Sequence, residues 1–161
     1  MTIRALIVDD EALARQGIRE FLKAEEDIEV VGEAESGTQA LAQIEDLEPD
    51  LIFLDIQMPE MGGFDLLQAL DEDRLPAVVF VTAHDRFALE AFEAHALDYL
   101  LKPVEQSRFH EAVERVRAQL HYHAAKDGGL ASLVRELRTP TPAYRQRLLV
   151  KSAGKITFLK T

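Results

Sequence analysis

The sequence predicts an α/β protein built on a doubly wound parallel sheet. Three observations lead there. Short, near-continuous apolar runs recur five times, the pattern of strands covered on both faces. A segment with helical spacing follows each run, and such alternation implies parallel strands joined by crossovers. Polar residues stand at the carboxyl ends of the runs, where open α/β sheets form their sites.

The elements follow in order. Ala5-Leu6-Ile7-Val8 reads as the first strand and ends in Asp9-Asp10. Leu13, Gly17, Ile18, Phe21 and Leu22 mark a helix. Ile28 to Gly32 is the second strand. Ala40, Leu41, Ile44 and Leu47 mark a second helix, stopped by Pro49. Leu51 to Leu54 is the third strand, running straight into Asp55. Phe64, Leu67 and Leu70 mark a short helix. Ala77 to Val81 is the fourth strand, ending at Thr82. Phe87, Ala88, Ala91 and Phe92 mark a helix whose apolar residues are expected in the core, with part of that face open to pairing. Tyr99-Leu100-Leu101 is the fifth strand, ending at Lys102-Pro103. Phe109, Ala112, Val113, Val116 and Leu120 mark the last helix.

Composition narrows the class. Apolar residues make up 47 %, cysteine is absent, and the formal charge is -11. No disulfide framework or thiolate metal site exists. Neither an export signal nor a membrane-length apolar run is evident, so a cytoplasmic protein with no membrane partner is expected. The charge is uneven. Residues 1–125 carry 10 Lys+Arg against 27 Asp+Glu, whereas residues 126–161 carry 8 against 2. An acidic body repels nucleic acid and a basic tail approaches it. The change of sign marks a domain boundary near residue 126. Gly128-Gly129, Pro140 and Pro142 make residues 126–146 a linker or helix extension. RLLVKSAGKITFL gives two short strands, a hairpin over residues 147–161.

If the first and third strands are neighbours, Asp9, Asp10 and Asp55 converge on one crevice. Clustered carboxylates repel one another and need a cation. Oxygen-only ligands point to a hard ion such as Mg²⁺. Lys102 offers a point charge for an anion and Thr82 a hydroxyl donor. Around one central carboxylate these groups suit phosphoryl transfer, with Asp55 as nucleophile forming an acyl phosphate.

LIVDDE, LIFLDIQMPEMGG, VVFVTAH and DYLLKP together resemble the receiver domains of two-component response regulators, over about residues 3–121. The resemblance implies a flavodoxin-like (βα)5 sheet of strand order 2-1-3-4-5, with residues 1–125 as the receiver. It implies that Asp55 is the phosphoacceptor, fed by a sensor histidine kinase. Asp10, Asp55 and the backbone carbonyl of Gln57 would ligate Mg²⁺, with Asp9 acting through water. Lys102 and Thr82 would contact the phosphoryl oxygens. Tyr99 matches the family's switch aromatic and would turn inward on activation. Gln57 and His84 would tune the rate at which water removes the phosphoryl group. The Lys102-Pro103 bond would be cis. Such a protein is not an enzyme in the ordinary sense, since it catalyses only its own phosphorylation and dephosphorylation. Homodimerisation through the fourth helix, fifth strand and fifth helix is also implied.

FVTAHDRFALEAFEAHALDYLLKPV is similar to receivers that carry a LytTR-type DNA-binding domain. RLLVKSAGKITFL resembles the opening strands of that domain, too short to complete it, so sequence-specific DNA binding is expected only of a full-length C-terminal domain. Three other readings stand beside this one. A receiver acting only through protein contacts would lack the DNA output. An Asp-nucleophile phosphatase of the haloacid dehalogenase type needs a second Asp where Gln57 stands. A flavin or nucleotide carrier would need a Gly- or Ser/Thr-rich loop after the first strand, and DDEALARQ has none.

Overall fold

The computed structural model describes residues 2–71, 73 and 75–124. Five strands and five helices alternate: β1 Ile3–Val8, α1 Ala12–Leu22, β2 Ile28–Ala34, α2 Gly37–Leu47, β3 Leu51–Leu54, α3 Gly63–Ala69, β4 Ala77–Thr82, α4 Ala88–Glu93, β5 Asp98–Leu101 and α5 Gln106–Ala124. A 3₁₀ turn, Asp85–Phe87, precedes α4. The strands form one sheet of order β2-β1-β3-β4-β5, and every pairing is parallel. This is the expected flavodoxin-like sheet of strand order 2-1-3-4-5. A compact unit ends at Leu120. The expected linker over 126–146 and hairpin over 147–161 lie outside the described residues.

Alternation along each strand divides the core. Ile3, Ala5, Ile7, Phe53, Val79 and Val81 face α1 and α5, where Ile18, Leu22, Phe109, Val113 and Val116 meet them. Leu6, Val8, Ile52, Leu54 and Phe80 face the other way, onto Ala40 and Ile44 of α2, Leu66 of α3 and Ala91 of α4. The four residues of β3 are fully buried, each contributing about 1.5–3 kcal/mol through removal of apolar surface from water. Phe53 stacks on Phe109 at 5.2 Å, and Phe109 on Phe21 at 4.9 Å. Rings on three elements thus fix how α1 and α5 sit on the sheet.

Local signals set the element ends. Ser36 caps α2, its hydroxyl accepting the Gln39 N–H at 3.1 Å. Glu48 closes the helix in a left-handed conformation with φ 46°, directly before Pro49. At the far edge, Arg117 of α5 reaches the α1–β2 loop, donating to Glu25 at 2.8 Å and Asp27 at 2.5 Å. His110 stands 3.1 Å from the other oxygen of Glu25, a residue that is itself buried. Burial of that carboxylate is tolerable because it is paired.

One expectation fails on α4. Of Phe87, Ala88, Ala91 and Phe92, Ala91 alone is buried. Phe87 lies half-buried in the turn before the helix, Ala88 is exposed, and Phe92 is 76 % exposed. The 3₁₀ turn changes the residue-to-angle relation that the spacing assumes. A helix of six residues then offers the sheet one small side chain. Leu13, counted with the α1 stripe, also points to solvent at 81 % exposure.

Phe53→Ala should cost about 3–5 kcal/mol, because a large cavity opens between β3 and α5. Urea unfolding would register this as a lower midpoint with an unchanged slope.

Candidate functional site: an acidic crevice at the carboxyl end of the sheet

The parallel sheet delivers β1, β3, β4 and β5 to one end with their carboxyl termini aligned. Register carries Val8 opposite Leu54, so the next residues, Asp9 and Asp55, are neighbours. The Asp55 N–H donates to the Val8 carbonyl at 3.0 Å. Carboxylate oxygens of Asp9, Asp10 and Asp55 lie within 4.8 Å of one another. Asp9 and Asp55 are buried and Asp10 is exposed.

Lys102 enters from the end of β5. Its Nζ donates to Asp9 Oδ2 at 2.8 Å and to Asp55 Oδ2 at 3.4 Å, and lies 3.6 Å from Glu11 Oε1. The expected cis bond to Pro103 is present. Burial works against the ammonium, yet its hydrogen bond to Asp9 and the charges of Asp55, Asp9 and Glu11 outweigh it and raise the Lys102 pKa. The Asp9 pKa is raised as well. Burial is the main cause and the Asp55 charge adds to it, while Lys102 and the Glu11 N–H, 2.9 Å away, oppose it. The asymmetry follows from numbers of partners: one ammonium serves several carboxylates, so it is always well paired and they are not.

Asp55 Oδ1 is buried and has no hydrogen-bond partner. An ionised oxygen left this way is costly inside a protein. A hard cation held by Asp9, Asp10 and Asp55 would satisfy it, and the all-oxygen donor set fits such an ion.

The segment after Asp55 folds back tightly. The Gly63 N–H donates to the Ile56 carbonyl at 2.8 Å. A Cβ on Gly62 would lie 2.6 Å from the Ile56 carbonyl oxygen, and one on Gly63 would lie 2.6 Å from that of Asp55. Neither glycine has a positive φ; close approach, not backbone freedom, requires them. The Asp65 carboxylate accepts the Gly62 N–H at 3.2 Å and so caps α3. Gln57 sits exposed on this segment, two residues beyond Asp55.

The remaining expected residues gather along β4 and β5. Thr82 is fully buried at the end of β4, and its carbonyl accepts the Lys102 N–H at 2.9 Å. Its hydroxyl accepts the His84 N–H at 3.4 Å. The half-buried Tyr99 packs against the α2–α4 side of the core and donates its hydroxyl hydrogen to the His84 carbonyl. His84 is half-exposed and meets Phe87 edge-on.

Sequence reading missed three participants. Glu11 sits beside Lys102, although the run Asp9-Asp10-Glu11 reads equally well as a helix start. Arg15 hooks the Asp9 carbonyl at 2.7 Å, with no signal beyond its place one turn into α1. Asp98, the residue before Tyr99, is gripped by both nitrogens of the Arg108 fork at 2.6 and 2.9 Å and also pairs with Arg115. Only the facing of β5 and α5 reveals that clamp.

Two pH effects of opposite sign follow. Burial raises the pKa of Asp98, but Arg108, the Tyr99 N–H and Arg115 outweigh it and hold the carboxyl below its ordinary 3.8. Its stabilising contribution is therefore present above that value and lost as pH falls through the lower folded value. The stability deficit of Asp98→Asn against wild type should shrink toward zero below about pH 3.8, in urea titrations across pH. For Asp9 the folded pKa lies above 3.8. The folded state holds the extra proton between the two values, so this contribution falls as pH rises through that window. With EDTA present at pH 7, Asp9→Asn and Asp55→Asn should both melt higher than wild type, because each relieves repulsion.

Residues 5–114 match the family model described as the response regulator receiver domain. The transcriptional regulatory protein BtsR of Salmonella typhi is 46 % identical over 117 residues, covering 73 % of this chain and 49 % of that protein. An uncharacterized response regulatory protein of Vibrio vulnificus is 41 % identical over 148 residues, 92 % of this chain and 61 % of that one. Among solved structures, the REC domain of AraT, a response regulator from Geobacillus stearothermophilus, matches with a TM-score of 0.70 at 38 % identity, covering 76 % of this chain and 98 % of that one. The response regulatory domain of mrkE from Klebsiella pneumoniae matches with a TM-score of 0.70 at 33 % identity, over 74 % and 99 %. The chain spans about half the length of several curated relatives it matches. Among the described residues no helix is long and apolar enough to cross a membrane. Fold, crevice and these likenesses agree: the chain belongs to the response regulator receiver domain family.

Proposed function

We propose that this protein is a phosphorylation-switched response regulator with a transcriptional output. Asp55 accepts a phosphoryl group from the phosphohistidine of a sensor histidine kinase. The single observation that carries this reading is the buried Asp55 carboxylate, with one oxygen facing Lys102 and the other unpartnered, between two further acids.

An Asp55 oxygen attacks phosphorus in line with the P–N bond. The new O–P bond forms as the imidazole leaves, giving an acyl phosphate. Asp10 and Asp55, with the Gln57 carbonyl, would hold Mg²⁺, and Asp9 would act through water. The ion supplies charge neutralisation for the transferred group when bound. Lys102, already beside Asp55, exchanges carboxylate contacts for phosphoryl oxygens. Thr82 gives up its weak contact with the His84 N–H and donates its hydroxyl hydrogen to the same group. Gln57 and His84 flank the acceptor, one exposed and the other half-exposed, and set how readily water reaches the phosphorus. The protein is a phosphoacceptor acting on itself and turns over no separate substrate.

Tyr99 and Thr82 both bear on His84, one at its carbonyl and the other at its amide. A pull on Thr82 therefore shifts the β4–α4 turn and, with it, the α4–β5–α5 face. Leu89 and Phe92 on α4 and Leu101 on β5 are exposed there, which supports pairing of two copies through this face. The output is a LytTR-type DNA-binding domain in the C-terminal part of the protein. Similarity to transcriptional regulatory proteins and the basic residues after 126 support this. A cytoplasmic location goes with a kinase partner and DNA.

Intact mass after incubation with Mg²⁺ and a small phosphodonor should increase by one phosphoryl group in wild type and not in Asp55→Asn. No gain in wild type with either a small donor or a kinase would sink the proposal. Light scattering of the same samples should show self-association in phosphorylated wild type, weakened by Phe92→Asp.

A further inference from the structure

We infer that Arg15 is a positioning residue for the cation-binding carboxylates, holding the β1–α1 turn that carries Asp9 and Asp10. This rests on the cation reading of the cluster. The Arg15 side chain is only 13 % exposed although it lies on a surface helix. It folds back toward the strand end. Nη1 donates to the Asp9 carbonyl at 2.7 Å and Nε donates to Glu33 Oε1 at 2.9 Å. Glu33 lies on β2, in register with Ile7 of β1, and also pairs with Arg19. On its other side the Asp9 backbone donates its N–H to the Ala34 carbonyl at 3.0 Å.

Asp9 is thus fixed at amide, carbonyl and both carboxylate oxygens, since Oδ1 accepts from Glu11 and Oδ2 from Lys102. Among the described residues, exposed Asp10 shows no comparable hold, and its placement derives from the residue before it. The strand β2 contributes no carboxylate to the cluster, yet through Glu33 and Arg15 it acts as a strut for it. Only a planar fork with separated donors can bridge a carbonyl and a carboxylate in this way. Residues that orient ligands from behind typically matter 10–100-fold in metal affinity.

Position and charge make opposite demands, which renders the inference decidable. A guanidinium near a cation site repels the cation. If Arg15 acted through charge alone, its removal would tighten binding, the more so because Glu33 would keep only Arg19 as a partner. If it acts through position, removal weakens binding.

The experiment is calorimetric titration of Mg²⁺ into the full 161-residue chain, with far-UV circular dichroism as a check on folding. Arg15→Ala should raise the Mg²⁺ dissociation constant about 10-fold or more. Arg15→Lys, which keeps the charge and one donor, should recover part of that. Glu33→Gln, a milder change that keeps the shape, should weaken binding in the same direction. If wild type binds Mg²⁺ and folded Arg15→Ala binds equally or more tightly, the positioning role is overturned and Arg15 is a brace only. If wild type binds no Mg²⁺, the cation reading falls and this inference falls with it.

Discussion

Lys102 is the counter-charge without which Asp9 and Asp55 could not share one buried crevice. Its ammonium lies within 3.4 Å of both. Each carboxylate has given up most of its hydration, and in a partly buried site that loss exceeds what a single shared partner returns. The raised Asp9 pKa records the shortfall. Such a site sits above its relaxed energy, ready to gain from a divalent cation. The remainder of the architecture keeps the charges together despite that cost.

The sheet does most of this holding. Because β1 and β3 are parallel neighbours in register, their first non-strand residues must lie side by side. The strands cannot separate without exposing Leu51 to Leu54, all fully buried. Two glycines packed on the carbonyls of Asp55 and Ile56 then turn the chain away at once. Strain in the crevice is thus resisted by apolar burial below it, a large and non-directional term set against a smaller electrostatic one.

A chain of hydrogen bonds links Thr82, His84 and Tyr99 beside the site. Their hydrogen bonds join the β4 end, the turn and β5. Asp98, next to Tyr99, is locked to α5 by Arg108 and Arg115. Two residues beyond Arg115, Arg117 is tied to Glu25 and Asp27. The helix is therefore anchored near its start and at its middle, whereas α4 touches the core through Ala91 alone among its fully buried residues. The weakly held element lies directly after the turn on which both Thr82 and Tyr99 act. Parts with few buried contacts are those that move at small cost.

The sequence by itself determined the α/β class and the carboxyl ends of the strands that carry the site, because near-continuous apolar runs and Pro49 or Gly62-Gly63 punctuation are local signals; the second strand, expected to end at Gly32, runs on to Ala34. Asp9, Asp55, Thr82 and Lys102 were legible for the same reason: each follows an apolar run directly, and Asp10 comes next after Asp9. The orientation of α4 was not legible, since a 3₁₀ turn and a six-residue helix give too few residues for periodicity to fix a face. Arg15, Glu33 and Asp98 were equally silent, because an arginine or glutamate on a half-exposed surface looks the same whether or not it has a distant partner. Only tertiary structure decided those pairs, by setting strand against strand and helix against sheet, where a contact depends on positions 18 residues apart for Arg15 and Glu33 and 93 for Lys102 and Asp9.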